Sequence, residues 1–410
     1  MACRARHLQA GSRQTLTQAL VAIVAAGASY AWAMSITPAA VSFRASGPEA
    51  TLVRALLDIR ESNFSSALDN VNSLLIANPN FRLAQLVKGD LLLARTRPIN
   101  SIGSPSGGSS EQVADLRDEA RARLVRSQIA PPTNMAPRYL LQLPETEKFA
   151  LVLDSAKSTL FVFENTGGIP RYVADYYITI GKNGMDKLRE GDKKTPVGVY
   201  RVVSQLEKDK ITDFYGSGAY PISYPNEWDR ARGRNGYGIW LHGTPRDTYS
   251  RPPRASDGCI VLSNPDLEML ATRIQIGSTP VVIADSIDWA KPEDVETLRA
   301  GLIAAIENWR RDWASRDTDA YLQHYAREFN ANGANLARWS AQKRLINSGK
   351  TWINVRVSNM SLLLYPGKEQ MAVATFEQDY QSNNLSNRMM KRQYWVREND
   401  QWRIVLEGGA

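Results

Sequence analysis

The chain has 410 residues, of which 43% are hydrophobic and 22% are charged. This balance is typical of folded domains and excludes a disordered or largely membrane-embedded protein. The formal net charge is +8 at pH 7, but the basic residues are spread along the chain rather than concentrated on one element, which argues against a nucleic-acid partner. The length exceeds the usual domain size of roughly 100–200 residues, so we predict a multidomain protein.

The first 33 residues have the pattern of an export segment. Three arginines and no acidic residue precede the uncharged run Thr15–Met34. This run includes Ala-Trp-Ala at residues 31–33. This order is typical of a cleaved secretory signal. The run also approaches the about 20 residues that cross a bilayer, so an uncleaved anchor in the inner membrane is the alternative. Both interpretations predict export to the periplasm.

Helices are predicted for the next part of the chain. Apolar residues recur at helical spacing from Ala50 to Arg95, and Glu111–Gln128 reads as a further helix. We interpret residues 48–130 as an α-helical accessory layer, with homodimerisation through these helices as a candidate role. Pro131, Pro132 and Pro137 then mark a linker.

After this linker the apolar pattern changes from the helical period to alternation. Ala150–Leu153, Thr159–Phe163 and Tyr176–Ile180 read as strands, and turn-forming residues separate them. Residues 148–286 are therefore predicted to form a mostly-β domain.

Residues 289–410 begin with helical patterns that carry several aromatic side chains and end with four strand-like runs. This order predicts an α+β domain and resembles the cone-like fold of nuclear-transport-factor-like proteins. The segment has no cysteine and one histidine, His324, so we expect it to position a substrate or partner. We also expect a chain that ends near Asp288 to keep its activity on small substrates.

Candidate catalytic residues lie in the predicted β domain. Only Cys3 and Cys259 are cysteines, so a mature exported chain has one thiol, which cannot form an internal disulfide. Cys259 follows Gly258, where a tight turn is favoured, and His242 ends a strand-like run before Gly243. A cysteine nucleophile needs such a base; an inert buried thiol is the alternative. A helix with Asn264 as its N-cap is predicted to follow.

Two motifs carry a family resemblance. The sequence His242-Gly-Thr244, followed after a spacer by Ser256-Asp-Gly-Cys259, resembles the signature of the YkuD-type L,D-transpeptidases. Ile178-Thr-Ile-Gly-Lys182 and Lys194-Thr-Pro-Val-Gly-Val-Tyr200 are similar to that family's upstream strand pair. The layout as a whole resembles cell-shape-determining L,D-carboxypeptidases and transpeptidases that carry a nuclear-transport-factor-like domain.

The resemblance implies acyl transfer on peptidoglycan stem peptides without a cofactor. Cys259 would attack the carbonyl of the L-centre of diaminopimelate, D-alanine would leave, and an amine would accept the acyl group, with His242 as base and then acid. Water as the acceptor would make an L,D-carboxypeptidase or a hydrolase that releases a wall-attached lipoprotein. Outside this class, a non-catalytic wall-binding protein is the remaining alternative.

Supporting roles follow from the same motifs. Ser256 is expected to orient His242, and the amides near Gly258 and Cys259 are expected to line the oxyanion hole. Arginines pair well with the carboxylates of stem peptides. No metal is predicted, because zinc would need three or four protein ligands. The candidate substrate-binding residues near the motifs are Arg246, Arg254, Asp257, Gly243 and Thr244.

Overall fold

The structure is a computed structural model that describes residues 47–99, 101–103, 110–331, 333–367 and 370–410. The predicted export segment lies outside these residues. Within the described ranges, no helix combines the length and the apolar character needed to cross a membrane. The described residues form two compact units: one contains the residues up to Ile129 together with Asp247–Pro252, and the other contains Ala130–Arg246 and Pro253–Ala410.

The first unit consists of helices, as the apolar periodicity predicts. Their inward faces bury Leu52, Val71, Phe81 and Leu83 in one core. Asp247–Pro252 belongs to this unit, although its position in the sequence suggests the catalytic segment. The helices, labelled in chain order within the described residues, are α1 (Pro48–Arg60), α2 (Phe64–Ala77), α3 (Arg82–Leu93) and α4 (Ser110–Ser127).

A five-stranded sheet, in the order β5-β4-β3-β12-β7, forms the centre of the second unit. The apolar alternation predicts strands close to β3 and β4. It places the next strand of the chain at Tyr176–Ile180, whereas β5 begins earlier, at Ile169. The reason is that β5 lies at the sheet edge and is half exposed, so its residues lack a clear alternation. The strands are β3 (Phe149–Asp154), β4 (Thr159–Thr166), β5 (Ile169–Tyr177), β7 (Gly198–Arg201) and β12 (Pro280–Ala284).

Two small sheets carry the motifs. Their strand orders are β11-β9-β8 and β10-β6. The side chains of Leu241 and Ile260 pack with side chains of the central sheet in one hydrophobic core. The elements are β6 (Ile180–Gly181), β8 (Ala219–Pro221), α5 (Glu227–Ala231), β9 (Trp240–His242), β10 (Arg254–Ser256), β11 (Ile260–Val261) and α6 (Asn264–Ala271).

The C-terminal part has helices followed by a curved antiparallel sheet in the order β19-β18-β17-β16-β2. Strand β2 comes from residues that precede the catalytic segment, where the sequence had indicated only a linker. Likewise β1 pairs with β13. The main elements are β1 (Ala136–Pro137), β2 (Leu140–Gln142), β13 (Trp289–Ala290), α7 (Pro292–Ser315), α8 (Thr318–Leu322), β14 (Asn330–Ala331), β15 (Ala334–Asn335), α9 (Leu336–Ser348), β16 (Ile353–Leu364), β17 (Met371–Ser382), β18 (Leu385–Glu398) and β19 (Gln401–Gly409).

The central sheet and the C-terminal part share one hydrophobic core. Side chains from one face of the central sheet, including Val152, Phe161 and Val282, belong to the same buried cluster as Trp309 and Trp395. Since each side covers apolar surface of the other, the shared core argues against the expectation that a chain ending near Asp288 keeps its activity.

Polar contacts reinforce this junction. Arg392 on β18 donates to both carboxylate oxygens of Glu227 at 3.0 and 3.1 Å, and the Tyr394 hydroxyl donates to the same carboxylate at 2.8 Å. The hydroxyl of Ser361 donates to Glu147 at 2.9 Å. The bonds to Glu227 fix the short helix α5, which precedes the strand that ends at His242.

Candidate active site

Parallel pairing of two short strands brings the candidate base and nucleophile together. In the register of β9 and β11, Leu241 lies opposite Ile260 and His242 lies opposite Val261. Leu241 and Ile260 are fully buried in the core on one face. Because side chains alternate along a strand, the His242 side chain lies on the other face, and Cys259 comes directly before Ile260, the first residue of β11. The pairing thus places the strand that ends at His242 next to the strand that follows Cys259, 17 positions later in the sequence.

The imidazole of His242 is oriented by a backbone carbonyl. Its Nδ1 lies 2.7 Å from the carbonyl oxygen of Gly243, and the residue is 1% exposed. A carbonyl only accepts hydrogen bonds, so Nδ1 carries the proton and Nε2 has a lone pair that can accept a proton from a thiol. Gly243, rather than Ser256, therefore holds the ring.

Aromatic side chains enclose the histidine. The Tyr215 ring meets His242 edge to face at a centroid distance of 5.2 Å, and Phe214 lies 5.8 Å from the same ring. Burial, and next the negative charge of the Cys259 thiolate, raise the pKa of Tyr215. Tyr215 therefore lies close to both the base and the thiol. No sequence pattern singles out Tyr215, because it stands 27 residues before His242 in a segment without a motif.

Ser256 and Gly258 shape the turn before the thiol. The Ser256 hydroxyl donates to the Cys259 carbonyl at 2.6 Å and accepts from the Gly258 amide at 3.1 Å. Gly258 has a φ of +125°, and a Cβ there would lie 2.7 Å from the Lys194 carbonyl oxygen, so glycine is required. The Gly258 amide already donates its hydrogen to Ser256 Oγ, so it is not available as an oxyanion donor. The role of Gly258 is to adopt the positive φ that the turn requires.

The upstream motif pair supports the same turn. The buried Thr195 hydroxyl donates to the Gly258 carbonyl at 2.9 Å and accepts from the Gly181 amide at 2.9 Å. A Cβ on Gly181 would lie 2.4 Å from the Lys193 carbonyl oxygen. The Lys182 amide also donates to the Ser256 carbonyl, at 2.8 Å. Both motifs are thus part of the scaffold that holds Cys259.

Asn264 connects the loop that follows His242 to the segment that follows Tyr215. Its Oδ1 accepts from the amides of Ser217 at 2.9 Å and Thr244 at 3.1 Å, while its Nδ2 donates to the Thr244 carbonyl at 2.8 Å. The prediction of Asn264 as N-cap of α6 is wrong: the cap is Ser263, whose side chain accepts from the Asp266 amide. The amide side chain of Asn264 is therefore available for the loops.

We expect Asn264→Ala to lower the free energy of unfolding by about 1–3 kcal/mol, because two amides and a carbonyl lose their partners. We also expect kcat to fall more than tenfold, because the loop that presents Gly243 loses its support. Thermal unfolding and steady-state kinetics measure the two effects. Ser263→Ala is the matched control, since it removes a helix cap worth about 1 kcal/mol without touching the loops. Equal kcat values for the two variants would contradict the role given to Asn264.

The candidate substrate-binding residues are only partly brought together. The Thr244 side chain is buried, so its contribution is to the loop rather than to a substrate. Arg246 is 93% exposed and its Nε lies 3.5 Å from Asp213. Arg254 is exposed on β10, and Asp257 lies 3.6 Å from Lys182, with both side chains more than half exposed.

Among the described residues, no group of three or more His, Cys, Asp or Glu side chains is arranged to hold a metal ion. What the site itself offers is a thiol, a buried imidazole with a fixed tautomer, and exposed arginines nearby. This set suits thiol-based acyl transfer on an anionic peptide.

Comparisons with known proteins agree with this fold. The model of the L,D-transpeptidase catalytic domain matches residues 148–283, and that of the Cds6 C-terminal NTF2-like domain matches residues 301–408. Among curated proteins, none matches significantly. The chain contains a YkuD L,D-transpeptidase catalytic domain followed by a C-terminal NTF2-like domain, as the motifs predict.

Solved structures share this layout. Bd1075 of Bdellovibrio bacteriovorus is 29% identical, with a TM-score of 0.59, and the match covers 67% of this chain and 98% of that one. The helical cell shape determining protein Pgp2 of Campylobacter jejuni is 26% identical, with a TM-score of 0.59, and the match covers 70% of this chain and 99% of that one. The three-part architecture predicted from the sequence is confirmed.

Proposed function

We propose that this protein is an exported cysteine acyltransferase that acts on peptidoglycan stem peptides. The observation that supports the proposal most directly is the parallel pairing of β9, which ends at the buried His242 with its Nδ1 held by the Gly243 carbonyl, with β11, which follows Cys259 directly. They lie within the residues matched by the L,D-transpeptidase catalytic domain. The members of that family act on peptidoglycan, which lies outside the cytoplasmic membrane, and this supports an exported protein.

The reaction follows from the roles of these two residues. His242 Nε2 takes the thiol proton, and the thiolate attacks the carbonyl carbon of the L-centre of diaminopimelate. The carbon–nitrogen bond to D-alanine breaks, and His242 returns the proton to the leaving amine. An amine of a second stem peptide then attacks the thioester, and the thiol is regenerated. The buried position of His242 keeps it from water, and the Gly243 carbonyl stabilises the imidazolium that forms between the steps.

Product analysis tests the proposal. Purified protein is incubated with tetrapeptide muropeptides, and the products are separated and weighed. A cross-linked dimer with release of D-alanine is the expected result. Tripeptide with free D-alanine and no dimer would assign water as the acceptor, and release of a lipoprotein from isolated sacculi would identify the third reaction of this class. No change in any substrate, with Cys259 unmodified, would defeat the proposal.

Arg246→Ala and Arg254→Ala are each expected to lower kcat/KM for muropeptides about three- to tenfold, through a higher KM. Exposed ion pairs contribute only about 0.2–1 kcal/mol, and partial burial by the peptide raises this modestly. Arg171→Ala, which removes an exposed arginine on β5, is the matched control. Kinetics indistinguishable from that control would show that neither arginine binds the substrate.

A further inference from the structure

The segment Asp247–Pro252, between the His242 and Cys259 motifs, is held by the helices of the first unit, called the helical unit below. Asp247–Pro252 stands between Arg246 and Pro253, in the chain that joins His242 to Cys259, yet it groups with the helices. The Tyr249 ring stacks on Phe81 with centroids 4.3 Å apart. The Tyr249 amide also donates to the Asn80 carbonyl at 3.3 Å.

A second anchor lies next to the first. The Ser250 hydroxyl donates to Glu119 Oε1 at 2.6 Å, and Arg123 donates to the same oxygen through Nε at 3.0 Å and Nη2 at 2.9 Å. Arg123 also lies over the Phe81 ring, with its Cζ 5.3 Å from the centroid. The stacked ring and the ion pair therefore form one anchoring cluster, consisting of Phe81, Glu119 and Arg123 from the helices with Tyr249 and Ser250 from the segment.

Forming the anchoring cluster has a high free-energy cost, because two charged side chains are buried to hold a surface loop. Glu119 and Arg123 are 1% and 2% exposed, and removing such charges from water costs more than a simple packing contact would. A buried ion pair that holds a loop fixes one geometry rather than adding much stability. Fixing the segment restrains the chain at its two ends, next to Arg246 on one side and Pro253 on the other.

We propose that Tyr249 and Ser250 are positioning residues through which the helical unit sets the arginine-bearing loop for capture of the anionic stem peptide. This inference rests on the proposed function, since it assigns peptide binding to that loop. Loss of the anchors would leave His242 and Cys259 in place, because β9, β11 and the turn at Gly258 are held by separate bonds. Substrate capture would weaken while the chemistry is preserved.

The test uses the full chain with Tyr249→Ala combined with Ser250→Ala. We expect KM for a tetrapeptide muropeptide to rise at least fivefold, with kcat and the alkylation rate of Cys259 within twofold of the unaltered protein. Hydrogen exchange of amides 245–254 should be at least tenfold faster, and exchange in 47–99 unchanged. Thr248→Ala, whose lost hydroxyl donates to Asp247 within the segment itself, is the matched control. Tyr249→Phe should restore the kinetics, because stacking needs only the ring.

Exchange rates equal to those of Thr248→Ala would overturn the inference, and so would a fall in kcat at constant KM. Phe81→Leu approaches the same contact from the helices. Should Phe81→Leu fail to fold, the two substitutions in the segment still decide the question. Failure of the unaltered protein to turn over any muropeptide would defeat the proposed function instead, and the exchange measurement would still decide whether the helices anchor the segment.

Discussion

Cys259→Ala is expected to reduce turnover of muropeptides to background, a loss of at least about 10⁴-fold, because Cys259 is the only cysteine of the described residues and a nucleophile of this kind has no substitute. Cys259→Ser should be almost as inactive, because a hydroxyl is far less acidic than a thiol and the same imidazole cannot ionise it. The melting temperature should change little, since the side chain is small and its Sγ contact is with the Gly238 carbonyl at 3.2 Å. Product mass and thermal unfolding measure both effects.

His242→Ala provides the companion measurement. It should slow both turnover and alkylation of Cys259 near neutral pH, because the thiolate loses its base. The double variant should be no worse than Cys259→Ala, since the two residues act as one unit. A double variant that is a hundredfold worse, or substantial turnover in the alanine variant at 259, would refute the mechanism.

Removal of the C-terminal part is expected to unfold the catalytic domain. One face of the central sheet lies in the shared core, and its larger side chains there are Val152, Phe161, Phe163, Val199 and Val282. Exposing five such side chains at about 1.5–3 kcal/mol each costs roughly 8–15 kcal/mol. This equals the whole stability of an ordinary domain, about 5–15 kcal/mol. A chain that stops after Asp288 should therefore be insoluble or lack a cooperative unfolding transition.

Expression of residues 47–288 with and without residues 289–410 on a separate chain measures this dependence. The second chain should restore soluble protein whose Cys259 is alkylated at the rate of the intact protein. Ser361→Ala is the mild control, because it removes only two hydrogen bonds of the junction, one to Glu147 and one from Arg201, and should cost about 1–3 kcal/mol. A soluble, cooperatively folding chain of residues 47–288 would contradict the role of the shared core.

The sequence was most informative where the physics is local. Helical periodicity predicted α1 to α4, alternation predicted β3 and β4, and motif spacing predicted the L,D-transpeptidase domain. It was least informative where a side chain makes hydrogen bonds to backbone groups that are distant in the sequence. Thr195 and Asn264 serve loops 63 and 20 residues away, and an amide or hydroxyl side chain carries no sign of its partner in the sequence.

The sequence by itself determined the family of the catalytic domain, because His242, Cys259 and two glycine-containing motifs at this spacing match the motifs of one family. The tertiary structure decided which group orients the histidine, which side chains hold the turn at Gly258, and which unit carries Asp247–Pro252. It also decided that the catalytic sheet and the C-terminal sheet share a core, with β2 crossing between them. Strand pairing and core sharing depend on surfaces far apart in the chain, and these meet only when the whole chain folds.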